Sequence, residues 1–168
     1  MAPVNAEQLS QMIREKVEAF KKLCERLDED TASRAPAGRW SPKQIVSHLC
    51  GPEGIGIIAS LRAFLEQETP RLDIEPENPF FSEKRARMTF AELLAELDKE
   101  YRQMTEFVAG LSEQQLSRKA HIPLLKDTPI GEYPTLAAWA QGIVDYHVTF
   151  HIDHMREILQ ALGVAPAR

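Results

Sequence analysis

Three histidines follow one another at spacings of four and three residues near the end of the chain, at positions His147, His151 and His154. Because an α-helix turns by about 100° per residue, these spacings place the three side chains within an arc of about 60°. Imidazoles four residues apart on one helix can bind a divalent transition metal together with a ligand from a second helix. His48, which lies in a second predicted helix, is the candidate for that further ligand.

Three neutral imidazole nitrogens suit Zn²⁺, Ni²⁺ or another late divalent ion as a cofactor. Three protein ligands leave positions open for water or substrate, which is the pattern of a catalytic site. A metal in such a site lowers the pKa of a bound water, or polarises a bound oxygen or thiol. The alternative is that His147 and His151 hydrogen-bond to each other or to backbone and only pack in the core. Burying several imidazoles without a shared ligand costs desolvation free energy, and this cost favours the metal site.

Two further residues have open roles beside this site. His154 could replace His147 as a ligand, hydrogen-bond to a ligand from outside, or lie at the edge of the cleft. Glu53 comes five residues after His48 and is expected near the same cleft, although it could also be a solvated carboxylate. Either His154 or Glu53 could act as a catalytic residue that positions or deprotonates a nucleophile. His121 lies in an irregular segment and is expected at the surface.

The elements that must position these residues are four predicted helices, and polar N-cap residues predict where three of them begin. Each N-cap is followed three residues later by Gln or Glu, which completes a capping box. The last helix is predicted over residues 134–162, before the C-terminal stop Gly163. A kink is expected near Pro52 in the second helix. The capping pairs are Asn5 with Gln8, Ser41 with Gln44, and Thr89 with Glu92.

A long polar connection, residues 66–88, separates the second and third predicted helices and contains three prolines. Such connections are often functional or mobile. Phe80 and Phe81 are expected to pin this one to the body or to a partner, and the basic run 84–87 is assigned to a loop. No segment shows a convincing strand pattern. The sequence therefore predicts an all-α fold, a four-helix bundle with a long crossover between helices 2 and 3, as a single domain over residues 1–168.

Composition restricts the class of protein. The chain has 168 residues, of which 43% are hydrophobic and 27% are charged, as in a globular protein. It has no apolar run of about 18 residues that would cross a membrane, and its start lacks a signal-peptide pattern, so we expect a cytoplasmic protein. The net charge of −5 argues against nucleic acid as a partner. Cys24 and Cys50 lack zinc-finger or disulfide spacing and are expected as small core residues.

Two stretches resemble the DinB/YfiT-like bundle proteins. Residues 40–49, WSPKQIVSHL, resemble the opening of that family's second helix, and Glu53 matches the acidic residue often found just beyond it. The resemblance covers nearly the whole chain in order and length. The parts that resemble the family's last helix are residues 135–139, His147-x-x-x-His151 and residues 162–164.

This resemblance implies an up-up-down-down-type bundle, a metal held by His48, His147 and His151, and frequent homodimers. Members of the wider superfamily include metal-dependent thiol S-transferases and a thiol-dependent isomerase. By analogy we expect a metal-dependent enzyme of the S-transferase or hydrolase type acting on a small-molecule substrate. A low-molecular-weight thiol such as bacillithiol, mycothiol or glutathione would be its partner.

Two departures from the family pattern support an alternative function. His154 and Met155 stand where the family commonly has Gln and Ile, and Gly51-Pro52 places helix breakers beside His48. These breakers could shift that ligand and weaken metal binding. The alternative is a non-enzymatic homodimeric bundle, a binding or stress-response protein whose metal site is degenerate.

Overall fold

The structure, a computed structural model, describes residues 4–165 of the chain. Within that range the elements are helical and no β-strand is present, which confirms the predicted all-α fold. None of the helices described is both long and apolar enough to cross a membrane. In chain order the α-helices are α1 (Ala6–Cys24), α2 (Glu29–Ser33), α3 (Pro42–Cys50), α4 (Ile58–Glu66), α5 (Glu83–Arg87), α6 (Phe90–Ala109), α7 (Glu113–Leu116), α8 (Leu136–Gln141) and α9 (Thr149–Ala161).

These helices build a four-helix bundle. α1 is the first bundle helix, α3 and α4 form the second, and α6 is the third. A π-helical segment over Gly142–Val148 joins α8 to α9, and the three together form the last bundle helix. α1 packs against α6 and the last bundle helix, and α3 packs against the same two. The long crossover between the second and third bundle helices is present as predicted.

The predicted capping boxes are confirmed at α1, α3 and α6. The side chains of Asn5, Ser41 and Thr89 each accept a hydrogen bond from the backbone N–H three residues later. Thr135 caps the last bundle helix in the same way, by accepting from the N–H of Ala138 at 3.1 Å. That helix therefore begins at Leu136, slightly later than expected. Capping depends on residues close in sequence, so these boundaries could be predicted.

The second bundle helix is interrupted and not merely kinked. α3 ends at Cys50, α4 begins at Ile58, and residues 51–57 form a loop. Gly51 has a φ of +75°, and a Cβ there would lie 2.9 Å from the carbonyl carbon of Gly56. Only glycine allows the backbone to approach itself so closely in this conformation. The loop starts after His48, which stays in the last turn of α3.

The crossover contains a short helix where a loop was expected. The basic run 84–87 lies in α5, and Ser82 caps this helix by accepting from the N–H of Arg85 at 3.1 Å. Arg85 is only 1% exposed and pairs with Glu96 at 3.0 Å. The crossover is therefore anchored to the body of the bundle by a buried charge.

The core lies along the apolar stripes of the bundle helices. Cys24 and Cys50 are buried free cysteines in it, as expected. Phe81 of the crossover is partly buried and packs against the same core. The buried stripe of α1 consists of Leu9, Ile13, Val17, Phe20 and Cys24.

Candidate metal centre

His48, His147 and His151 converge between α3 and the last bundle helix. Each offers one ring nitrogen, and the three nitrogens lie within 4.8 Å of one another. The ring centroids are 4.9 Å apart for His48 and His147, and 4.8 Å apart for His48 and His151. The structure thus brings together the three residues proposed as ligands from the sequence. The helix breakers after His48 do not turn its ring away from the other two.

The crossover fixes the ring of His48. Its Nδ1 lies 2.6 Å from the carbonyl oxygen of Asn78. Because a carbonyl oxygen can only accept, Nδ1 carries the proton in the neutral imidazole. The Nε2 atom then has a lone pair and lies 2.8 Å from Nε2 of His147. The ring of Phe80 stacks nearly parallel on the imidazole, with 6.0 Å between centroids. A carbonyl partner of this kind orients a histidine for coordination through its other nitrogen.

The last bundle helix supplies His147 from its π-helical segment and His151 from α9. π-helical hydrogen bonds reach one residue further than α-helical ones, and such segments occur frequently at functional sites. The two rings meet edge to face, with 4.7 Å between centroids. Within residues 4–165, the nitrogens of these two rings are hydrogen-bonded only to other imidazoles.

His154 contacts the cluster from outside. Its Nδ1 lies 3.2 Å from Nδ1 of His151, so one nitrogen donates and the other accepts. Of the arrangements left open by the sequence, the structure places His147 in the cluster and His154 beside His151. His154 also lines the adjacent cavity.

Burial keeps the clustered imidazoles neutral. Burial, with a smaller contribution from His48, lowers the pKa of His147 to about 4. Burial and then the neighbouring His147 lower the pKa of His151 to about 2. Burial also lowers the pKa of His48, against the opposing effect of the Asn78 carbonyl. Metals bind the neutral form of histidine, so all three residues are in the competent form at neutral pH.

A cavity of about 580 Å³ opens beside the cluster. The ring of Trp40 lies nearly parallel to that of His151, with 6.3 Å between centroids, and forms one wall. Tyr146 and Phe150, which are 76% and 55% exposed, lie on the outer side. The volume and the mixture of aromatic and polar groups suit a small-molecule ligand.

Glu53 lies outside the lining of this cavity. Its carboxylate accepts from the hydroxyl of Ser82 and lies 3.7 Å from Nζ of Lys84. The bond from Ser82, followed by nearby positive charge, lowers the pKa of this exposed carboxyl. These contacts tie Glu53 to the start of α5 and do not bring it to the histidines.

His121 also lies apart from the cluster. Its ring stacks on Tyr133, with 4.7 Å between centroids, and its Nε2 lies 3.4 Å from a carboxylate oxygen of Glu132. The residue is partly exposed on an irregular segment, as the sequence indicates.

Three residues around the site were not identified as functional from the sequence. In the sequence, Trp40 is only part of a motif and Phe80 only an anchor, and no pattern points to Asn78. The available signal was an Asn-Pro-Phe-Phe run inside a polar connection. It indicates that the segment is anchored but does not reveal which ring or carbonyl reaches His48.

The sequence model of the DinB superfamily matches residues 12–158 of this chain. The comparison with curated proteins gives no match. YfiT from Bacillus subtilis, described as a probable metal-dependent hydrolase with an unusual four-helix bundle topology, superposes with a TM-score of 0.73 at 22% identity. That alignment covers 95% of this chain and 89% of YfiT.

Two further solved structures share the fold. An uncharacterized protein from Clostridium difficile 630 has a TM-score of 0.68 and 14% identity, covering 93% of this chain and 96% of its own. A protein from Streptococcus pneumoniae has a TM-score of 0.66 and 12% identity, and the alignment covers 94% of this chain and 91% of that protein. These likenesses establish the bundle fold, and the family match spans most of the chain. The chain therefore belongs to the DinB superfamily.

Proposed function

We propose that this protein is a metal-dependent enzyme in which His48, His147 and His151 hold a divalent ion and the adjacent cavity holds a small-molecule substrate. The observation that carries the proposal is the convergence of three neutral imidazole nitrogens within 4.8 Å beside a cavity of about 580 Å³. Three protein ligands with open remaining positions are typical of catalytic metal sites.

The donor set fits such an ion. Three imidazole nitrogens match the preference of Zn²⁺ and Ni²⁺, which are the ions we expect. The carbonyl of Asn78 holds the proton of His48 on Nδ1 and leaves Nε2 as the donor atom. His48 and His151 are buried, and a shared ion would offset the cost of desolvating them.

When bound, the ion would lower the pKa of a water or thiol nucleophile and polarise a substrate oxygen. Trp40 and Phe150 would pack against the apolar part of the substrate and exclude water from that side. His154 lines the cavity and bonds to His151, and its proposed role is to position the nucleophile beside the ion. We favour hydrolysis because YfiT is described as a probable metal-dependent hydrolase. A low-molecular-weight thiol is the other nucleophile to compare in an assay.

Metal content tests the proposal directly. Protein without a histidine tag is loaded with Zn²⁺ or Ni²⁺, dialysed, and analysed for metal by mass spectrometry. We expect one ion per chain in the wild type and in the control His121→Ala, and strong loss in His151→Ala. Equal metal content in wild type and His151→Ala would contradict the assignment.

The same samples distinguish the non-enzymatic alternative. A ligand that binds only the folded state raises the melting temperature, so the proposed site predicts a metal-dependent thermal shift that chelator reverses. A degenerate site predicts no shift with either ion. The convergence of the three rings despite the break at Gly51 argues for the functional site.

A further inference from the structure

A turn in the crossover, residues 78–80, is held against the end of α3. The Ser47 hydroxyl donates to the carbonyl oxygen of Phe80 at 2.9 Å. Nη1 of Arg85 donates to the same oxygen at 3.3 Å. Inside the turn, Oδ1 of Asn78 accepts from the N–H of Phe80 at 2.8 Å. We call Ser47 and Arg85 the clamp, because they hold the turn from outside while the Asn78 side chain closes it from within.

Arg85 is the buried centre of the clamp. Its Nη1 lies 3.1 Å from the carbonyl oxygen of Ser47 and 2.5 Å from that of Gly51. Carbonyls at the end of a helix lack intrahelical partners and carry partial negative charge, which a cation satisfies. Its Nη2 pairs with Glu96 of α6 at 3.0 Å. One guanidinium therefore joins the end of α3, the crossover turn and the third bundle helix.

The backbone of Phe80 shows that the turn is enforced by its surroundings. Its φ of +49° lies in the left-handed region, which residues other than glycine rarely adopt. Such conformations persist where surrounding contacts over-determine them, and they cluster at functional sites. Here the enforcing contacts are those of the clamp, and the side chain of Phe80 stacks on His48.

We propose that Ser47 and Arg85 are positioning residues, which hold the 78–80 turn so that the Asn78 carbonyl keeps the proton of His48 on Nδ1 and leaves Nε2 for a metal ion. The functional meaning of this role rests on the proposed metal site. The tautomer of His48 is measurable without any ion, so the two proposals can fail separately. Weakening the clamp releases the carbonyl, and the His48 proton then distributes over both nitrogens.

The first test is ¹⁵N NMR of the His48 ring in metal-free protein above neutral pH. We expect the Nδ1–H tautomer in the wild type and a mixture of tautomers in Ser47→Ala. The matched control is Ser60→Ala, because the Ser60 hydroxyl also donates to a backbone carbonyl, that of Ile57 at 3.0 Å, which lies outside the clamp just before α4. An Nε2–H tautomer in the wild type, or an unchanged tautomer in Ser47→Ala, would overturn the proposal.

The second test is a Co²⁺ titration followed by visible absorption, which reports both affinity and coordination geometry. We expect about tenfold weaker binding and an altered spectrum in Ser47→Ala, since losing an outer partner of a ligand typically costs about 10–100-fold in affinity. Ser60→Ala should match the wild type. Arg85→Lys keeps the charge but cannot serve several carbonyls as the planar guanidinium does, so it should change in the same direction as Ser47→Ala.

Urea unfolding of all metal-free variants separates a loosened clamp from a general loss of folding. Wild-type affinity and spectrum in Ser47→Ala would count against the positioning role. A wild type that binds no Co²⁺ would defeat the proposed function, and the NMR tautomer would then decide whether the clamp positions His48.

Discussion

The two sides of the histidine cluster are held in different ways. On the α3 side, His48 donates to a backbone carbonyl, stacks on Phe80 and belongs to a helix whose end is satisfied by Arg85. On the other side, His147 and His151 are hydrogen-bonded only to imidazoles among the residues that the structure describes. An imidazole can donate or accept, whereas a carbonyl only accepts. The α3 side therefore has a fixed tautomer. On the other side, Nε2 of His147 must donate to His48, and the proton shared by His151 and His154 is exchangeable.

This difference indicates a division of roles within the proposed metal site. A ligand with a fixed lone pair sets the position at which an ion is captured. The partners with exchangeable protons then adjust their protonation to it, since histidine must present a bare nitrogen to coordinate. Breaking the supports of each side separately would reveal whether this division holds.

The largest loss of stability is expected from a substitution of Arg85, which supports the α3 side of the cluster. Arg85→Met leaves Glu96 without its partner and removes the donor of the Ser47 and Gly51 carbonyls. Glu96 is partly exposed, so most of the expected loss comes from the carbonyls left without a donor, and we expect the free energy of unfolding to fall by about 3 kcal/mol. Urea unfolding of the metal-free protein measures this loss.

The matched control for that variant is Arg156→Met. Arg156 is exposed and pairs with Asp153 at 2.9 Å. Removing an exposed pair changes stability by about 0.5 kcal/mol or less. Equally small losses in both variants would show that Arg85 does not support the α3 side.

An intermediate loss of stability is expected when the pH is lowered, and it comes from the side of the cluster formed by His147 and His151. As the pH falls, the unfolded chain takes up protons near the ordinary histidine pKa of 6.5, whereas folded His147 stays neutral to about 4 and His151 to about 2. The unfolded state then binds more protons, so stability decreases with falling pH and levels off only below the folded pKa values. Between pH 7.5 and 5.5 we expect a loss of about 1 kcal/mol per histidine.

Urea unfolding in the presence of chelator across that pH range measures the acid effect. His151→Asn should lose less stability than the wild type over the same interval. A slope unchanged by His151→Asn would mean that this side is not held neutral by burial.

The smallest effect is expected where the two sides meet at the surface. Arg39, just before α3, lies 2.8 Å from Glu157 of α9, and their side chains are 38% and 63% exposed. Exposed pairs contribute about 0.5 kcal/mol, and salt screens them. A double-mutant cycle with Arg39→Gln and Glu157→Gln measures the coupling at low and high salt. A coupling above about 2 kcal/mol would show that the two sides are rigidly joined there, against the division described.

Local signals were sufficient to predict much of the fold. The N-caps at Asn5, Ser41 and Thr89 act on residues three positions away, so the sequence contains the whole interaction. Helical periodicity likewise placed His147 and His151 on one face. Their approach to His48 depends on how two helices pack, which residue spacing does not determine. The family resemblance implied this approach, because it assigned all three histidines to one metal.

Contacts between distant segments could not be predicted. The helix around Arg85 has five residues, too few to show a helical periodicity. The burial of Arg85 depends on carbonyls and a carboxylate from other elements. The π-helical segment around His147 shifts hydrogen bonds by one residue, and no residue type marks that shift. Glu53 was expected at the cleft from its distance in sequence, but the loop after α3 directs it to Ser82.

The oxygen that orients His48 belongs to a connection between helices and not to a bundle helix. A designer who transplanted the three histidines onto a straight scaffold with short loops would copy the nitrogens and lose this oxygen. The grafted imidazole would then populate both tautomers, and selecting the one that coordinates would reduce the net free energy of metal binding. A transfer of the complete site would have to include the crossover together with Ser47 and Arg85, which hold it in place.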